Sequence, residues 1–274
     1  MMFLTLLPTI AAESKEVGIL LSDRLTSIYK QTFSSSDAFK NCTVYSHSDY
    51  YSGVLSASQF EYQLPIGSIC QYRFSEISSY SPLTPCIQHR NEVSTSLRDQ
   101  YLRGTNPKTK LIGISWRGGG KPDRIKKKSV EEAEFLSIIS NIPDVRFVSL
   151  QYGQAKDTLE QWANQGLSVI YDKRINPLKN MHAWIDQVAA CDAVVSVANT
   201  TIHGAGGLGI PTMCLLSRAA DWRWFSDESV TRSYWYPSVG IARESDTDGW
   251  DSAYSKVRQW IKTGCPKPQG PISS

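Results

Sequence analysis

An α/β protein built on a parallel sheet is what this sequence predicts, on three observations. From residue 111 onward, short apolar, β-branched runs alternate with stretches of helical spacing, the signature of right-handed βαβ crossovers. One unit, residues 193–216, shows the pattern whole: Val194, Val195 and Val197, a small-residue connection, then a second apolar run from Met213. The composition is that of an ordinary globular chain, 41% hydrophobic and 20% charged over 274 residues, enough for one large domain or two modest ones.

Taken in order, residues 2–13 read as a helix and 17–21 as a strand. A helix follows over 23–33, with Leu25, Ile28 and Tyr29 on one face. Residues 42–45 are a weak strand. From there to Pro85 the chain is rich in Ser and Tyr and carries no clear period, with 64–68 a rigid loop. A polar helix is expected at 91–102, and 104–110 (GTNPKTK) reads as a linker, so the domains divide as 1–108 and 109–264. Strands are then expected at 111–116, 146–150, 167–171, 193–197 and 212–216. Helices fall between them at 130–140, 155–165 and 181–190. Ser129 with Glu132 has the spacing of a capping box. A short strand near Gly240 and a helix over 250–261 close the domain, and the Pro/Ser-rich residues 265–274 are expected to be a disordered tail.

The totals exclude several classes. A net charge of +3, from 29 Lys+Arg against 26 Asp+Glu, is too small for a nucleic-acid coat protein. The six cysteines show no CxxC pair and no histidine at zinc spacing, which argues against a metal and for a reducing, cytoplasmic setting. The opening MMFLTLLPTIAAE is too short, contains Pro8 and lacks a basic start, so it reads as a helix and not a signal peptide. No segment has the length of a membrane span.

The chemistry concentrates where strands of such a sheet end, because ligands of open parallel sheets bind beyond the carboxyl edges. After the first strand of the regular region comes Arg117-Gly118-Gly119-Gly120-Lys121, a flexible backbone between two cations. After the next comes Gln151, and after the fourth Asn199-Thr200-Thr201-Ile202-His203 at the start of a helix. Helix N-termini carry unpaired N–H groups and positive potential, so this place suits a diphosphate. Thr200 and Thr201 are read as ligand-facing, with simple N-capping as the alternative. Gly204, Gly206, Gly207 and Gly209 match a loose dinucleotide fingerprint, but they lie too far from the strand and too late in the chain. They are read as helical glycines that allow a backbone or a ligand to come close. A Gly118–Gly120 mobile turn is the plain alternative for the first loop. The run Arg124–Lys128 is read as a solvated face. His203 faces a ligand or caps the helix, whereas His47, His89 and His182 have no motif around them. Trp222 and Arg223 in DWRW, and the aromatics of YWYP at 234–237, either stack on a base or sugar or pack between domains. No GxSxG elbow is present.

ISWRGG (114–119), FVSLQYG (147–153), PLKN…AACD (177–192), NTTIHGAGGLGIPT (199–212), DWRW (221–224) and SYWYPS (233–238) occur in one order. Together they resemble the glycosyltransferase-like domain of bacterial tetratricopeptide-repeat proteins. That domain is similar to the lipopolysaccharide heptosyltransferases and more distantly to O-linked N-acetylglucosamine transferases. FLTLLP, Arg24-Leu25 and LPIGS (64–68) extend the likeness weakly to the first hundred residues.

The resemblance implies a GT-B-like architecture, two Rossmann-like domains with parallel sheets facing a cleft, the N-terminal one shortened. It implies a nucleotide-sugar donor, a saccharide, lipid-linked or protein acceptor, and inverting transfer without a metal or other cofactor. On that reading Arg117, Gly118, Lys121, Gln151, Asn199, Thr200, Thr201, His203 and Gly204 border the donor diphosphate. Trp222 and Arg223 touch its base or sugar, Gly67 and Ser68 face the acceptor, and His203 is the weak catalytic candidate. Relatives often have Asp where Ala198 stands. The strand and Gly-Asp loop that supply the family's base would precede residue 1, which leaves Asp49 and Glu61 with nothing else to recommend them as bases. A non-catalytic nucleotide- or glycan-binding protein of the same fold is the alternative. An NAD-dependent oxidoreductase is disfavoured by the misplaced glycines.

Overall fold

The computed structural model describes residues 1–80, 86–153, 155–218, 220–224 and 229–269. The chain opens with a 3-10 turn, Met2–Leu6, running into α1 (Leu7–Glu13), where Pro8 sits in the first turn and needs no N–H partner. β1 (Val17–Leu21), α2 (Asp23–Ser34) and β2 (Cys42–Ser46) form one βαβ unit, with β1 and β2 parallel and Ile19 opposite Val44. Ile19, Val44, Ile28 and Tyr29 supply its inner face. The Ser/Tyr-rich stretch without a period contains only short pieces, α3 (His47–Tyr51) and α4 (Ile69–Arg73) among them. Residues 66–68, expected as a rigid loop, form a single 3-10 turn leading into α4.

α5 (Asn91–Tyr101) leads to the main sheet. Its strands are β3 (Lys110–Ser115), β4 (Val145–Ser149), β5 (Val169–Ile170), β6 (Ala193–Val197), β7 (Thr212–Leu216) and β8 (Val239–Arg243). The helices between and after them are α6 (Pro122–Lys128), α7 (Glu132–Ile139), α8 (Lys156–Asn164), α9 (Met181–Ala189), α10 (Thr200–Leu208) and α11 (Asp251–Lys262). All neighbouring strands are parallel and lie in the order β5-β4-β3-β6-β7-β8. Relabelled from β3, that order is 3-2-1-4-5-6, the doubly wound arrangement, whose direction of winding reverses between β3 and β6. The sequence-predicted strand at 167–171 shortens to two residues because it is the partly buried edge of the sheet.

Alternate side chains of each strand separate two cores. Ile112, Ile114, Phe147, Val195 and Met213 face α7, α8 and α11, while Leu111, Val148, Leu150 and Val194 face α9 and the N-terminal segment. Each fully buried aliphatic side chain contributes roughly 1.5–3 kcal/mol. The second core includes Leu4, Leu7, Ile28 and Tyr29, so apolar packing runs across the boundary expected at 108. Polar ties reinforce it: the carboxylate of Asp186, fully buried on α9, accepts from the backbone and guanidinium of Arg90, and Asp192 pairs with Arg98 at 2.9 Å.

Two local expectations are corrected. Ser129 and Glu132 do not form a capping box, since α7 is entered through Glu131 with no side-chain cap. Ser129 Oγ instead donates to Ile125 O and accepts from Gly118 N, and Glu132 accepts from Thr158. The start of the expected tail is folded. Cys265 is buried in the first core and Pro266 O accepts the Trp260 indole N–H at 2.8 Å, while residues 270–274 lie outside the described residues.

Candidate functional site at the β3–β6 switch point

In sheets of this order, ligands bind beyond the carboxyl ends of the two strands at which the winding reverses, here β3 and β6. β3 ends at Ser115, paired in register with Ser196 of β6, so the loop beginning at Arg117 and the turn beginning at Ala198 emerge side by side.

Two buried amides lock these loops together. Gln151, just past β4, accepts through Oε1 from Ser115 Oγ (3.0 Å), Trp116 N (3.2 Å) and Arg117 N (2.9 Å). Its Nε2 donates to the carbonyls of Arg117 and Tyr152. Asn199 mirrors it from β6: Nδ2 donates to Ser115 Oγ (2.8 Å) and Arg117 O (3.0 Å), and Oδ1 accepts from Ser196 Oγ and from Thr201 N (2.8 Å). Asn199 is thus the N-cap of α10 and a brace for the β3 loop at once. Both residues expected to touch a ligand spend their polar atoms on the backbone that presents Arg117. Sequence reasoning placed them at the strand ends but had no signal for this bracing role, which depends on register.

The two threonines divide. Thr200 is partly exposed at the mouth of α10, whereas Thr201 is fully enclosed and its Oγ1 has no hydrogen-bond partner among the described residues. The expectation that both hydroxyls face the crevice therefore holds for the exposure of Thr200 and is corrected for Thr201. With Thr201 N taken by Asn199, the first-turn amides of Thr200 and Ile202 have no acceptor inside the helix.

The glycines of α10 serve packing. A Cβ on Gly204 would sit 2.9 Å from the Trp184 ring, one on Gly206 2.4 Å from Tyr236 Cγ, and one on Gly207 2.4 Å from Ile87 Cδ1. Gly204, expected beside the diphosphate, is buried against α9. Gly209 ends the helix in the left-handed region at φ 74°, the usual C-cap solution.

His203, one turn into α10, is mostly buried. Its Nδ1 lies 3.2 Å from the Tyr236 hydroxyl and its ring 6.5 Å from that of Trp224. Burial, then the positive charges of the chain's amino terminus and Arg223, push its pKa down to about 3. Burial thus favours the neutral ring at physiological pH. Asp221 accepts from Arg223 and lies 3.2 Å from Lys128 Nζ, so that carboxylate is engaged twice. Trp222 stands 60% exposed, with the Arg223 guanidinium 5.6 Å over its ring and Phe3 stacked 6.2 Å away. Tyr234, Trp235 and Tyr236 are by contrast buried, with Trp235 edge-on to Phe3 and Tyr80, so the packing alternative describes them.

Arg117 and Lys121 are exposed, and Gly118 is buried under Lys128. Gly67 lies against the Phe3 ring, and Ser68 N donates to Pro65 O within the same turn. Of the residues offered as bases, Asp49 caps α3 through a reciprocal pair with Ser46, and Glu61 is exposed. Among the described residues no cluster of His, Cys, Asp or Glu is placed to hold a metal ion, and no helix is long and apolar enough to cross a membrane. Two surface depressions, one along α5 and one around Tyr171–Arg174, lie away from the switch point.

Sheet order and parallel pairing are those of an α/β protein of the GT-B heptosyltransferase fold. The particular likenesses are with solved structures, since no family model and no curated protein matches the chain. It aligns with E. coli ADP-heptose lipopolysaccharide heptosyltransferase II at a TM-score of 0.57, over 96% of this chain and 94% of that one, with 10% identity. With the E. coli heptosyltransferase WaaC bound to ADP the TM-score is 0.50, over 96% and 97%, at 12% identity. At such identities the likeness is one of fold.

Proposed function

We propose that this chain is a glycosyltransferase that takes a nucleotide-sugar donor at the β3–β6 switch point. The observation that carries the reading is the clamp of Gln151 and Asn199, which holds the first turn of α10 and the Arg117 loop side by side at the switch point. In this arrangement the partly exposed Thr200 and the unpaired amides of the first turn receive the diphosphate. Arg117 and Lys121 offset the charge that grows on the leaving group, a task that otherwise falls to a metal ion. Trp222 with Arg223 borders the base or sugar, and the Gly67–Ser68 turn, seated on Phe3, borders the acceptor. The acceptor hydroxyl attacks the anomeric carbon and gives up its proton to water, the bond to the diphosphate breaks, and the nucleoside diphosphate leaves with inversion. The fold's neighbours act on ADP-heptose or hold ADP, which makes an adenosine diphosphate sugar the first donor to try.

One observation favours the second reading, a nucleotide- or glycan-binding protein without turnover. His203 stays neutral, Asp49 is a helix cap and Asp221 is doubly paired, so none of them is poised to take the acceptor's proton. A thermal-shift screen with ADP, UDP and GDP and their sugars separates the readings from the start. A ligand at a hundred times its Kd stabilises by about 2.7 kcal/mol. Selective stabilisation followed by release of nucleoside diphosphate in the presence of an acceptor supports the enzyme, and stabilisation with no release under any acceptor supports the binder. No stabilisation by any nucleotide rejects both.

A further inference from the structure

Between residues 117 and 128 stand six cations, Arg117, Lys121, Arg124, Lys126, Lys127 and Lys128, against the single carboxylate of Asp123. That is a local +5 in a chain whose net charge is +3, so everything else sums to −2. The segment is a closed excursion from the sheet. Val130 N donates to Trp116 O at 3.0 Å and Gly118 N to Ser129 Oγ at 3.0 Å, so both ends are tied at its base while α6 forms its tip. Lys121, Lys126 and Lys127 are exposed and make no ion pair among the described residues, whereas Lys128 is held by Asp221.

Successive residues of a helix point about 100° apart, so Lys126, Lys127 and Lys128 fan around the tip. A fan cannot converge on one phosphate, but it suits an extended array of anions. Beside it, joined through Asp221, Trp222 presents an indole 60% exposed, a side chain that favours the boundary between water and hydrocarbon.

We propose that α6 and its flanking cations, with Trp222, form a docking surface for an anionic lipid bilayer, which brings the switch-point crevice to the membrane surface. Each lysine near such a surface contributes about a fivefold gain in partitioning, reduced by salt. Trp222, Arg117 and Lys121 are shared with the donor reading, whereas Lys126 and Lys127, which the test changes, lie outside the residues assigned to the donor.

The test is co-sedimentation with vesicles of phosphatidylcholine alone and with about one-third phosphatidylglycerol, at low and physiological salt. The full chain is expected to sediment with the anionic vesicles alone and to be released by salt. K126Q/K127Q is expected to weaken partitioning about 25-fold while keeping wild-type melting and nucleotide response. K30Q/K40Q, which removes the same charge from α2 and the turn after it, is expected to bind as wild type. Equal partitioning to both vesicle types, no partitioning, or equal losses in the two double variants overturns the proposal. So does binding to a single-stranded RNA oligonucleotide with none to vesicles, which assigns the fan to nucleic acid.

Discussion

Replacing Gln151 by Leu tests the clamp that organises the crevice. The side chains are close in size, so the substitution removes hydrogen bonds and leaves little cavity. Three donors lose the Oε1 acceptor: Ser115 Oγ and Trp116 N, both buried, and Arg117 N at the exposed end of the network. Water can reach Arg117 N, and Ser115 Oγ still accepts from Asn199, which leaves about two buried donors unsatisfied at about 1–3 kcal/mol each. Burying Leu in place of an amide returns part of that. The expected loss is about 2–4 kcal/mol, read as a lower urea midpoint at unchanged slope. Amide hydrogen exchange at Trp116 and Arg117 should quicken more than at Ile112, in the middle of the strand. A variant within about 0.5 kcal/mol of wild type, with unchanged exchange at both amides, would refute the bracing role of Gln151.

Gly206→Ala places a Cβ 2.4 Å from Tyr236 Cγ, a ring fixed in the aromatic core. Despite the roughly 1 kcal/mol helix preference of Ala, overpacking should lower stability by about 1–3 kcal/mol in thermal melts, and a gain would show that the ring yields. Thr201→Val removes an enclosed hydroxyl with no partner among the described residues, so stability should hold or rise by about 1 kcal/mol in denaturant titration. A clear loss of unliganded stability would reveal a partner for that atom. His203, depressed to about 3 in the fold against about 6.5 unfolded, makes the unfolded chain bind the extra proton between those values. Its contribution is present above about pH 6.5 and is lost as pH falls toward about 3, by about 2 kcal/mol at pH 5. His203→Gln should flatten that part of the acid slope, and parallel slopes would contradict the buried, neutral imidazole.

How far the sequence carried the account follows from where its information lies. The parallel sheet was legible because Val194, Val195 and Val197, or Ile112 and Ile114, write burial directly into residue type. The loops at Arg117, Gln151 and Asn199 were legible as strand ends, whereas the switch point came only with the strand order of the fold. What sequence could not convey is which way a polar atom points. Gln151 and Asn199 read as ligand contacts, and their bracing role emerged only when the pairing of Ser115 with Ser196 fixed their neighbours. Thr200 and Thr201 are chemically alike and one residue apart, yet the helix turns one outward and encloses the other. Gly204, Gly206 and Gly207 announced a close approach without naming what approaches, and Trp184, Tyr236 and Ile87 come from elements distant in sequence. The Ser129–Glu132 spacing matched a cap, but Ser129 closes the excursion from β3 instead.

Calorimetric titration of ADP into the wild-type chain and into Thr200→Phe tests the central claim most directly. The donor reading predicts saturable one-to-one binding by the wild type and its loss in the variant, with the variant's melting and denaturant midpoint preserved because Thr200 is partly exposed. Equal binding by both folded proteins would move the diphosphate away from the mouth of α10, and no binding by either ADP, UDP or GDP would contradict the assignment of a nucleotide-sugar site to this crevice.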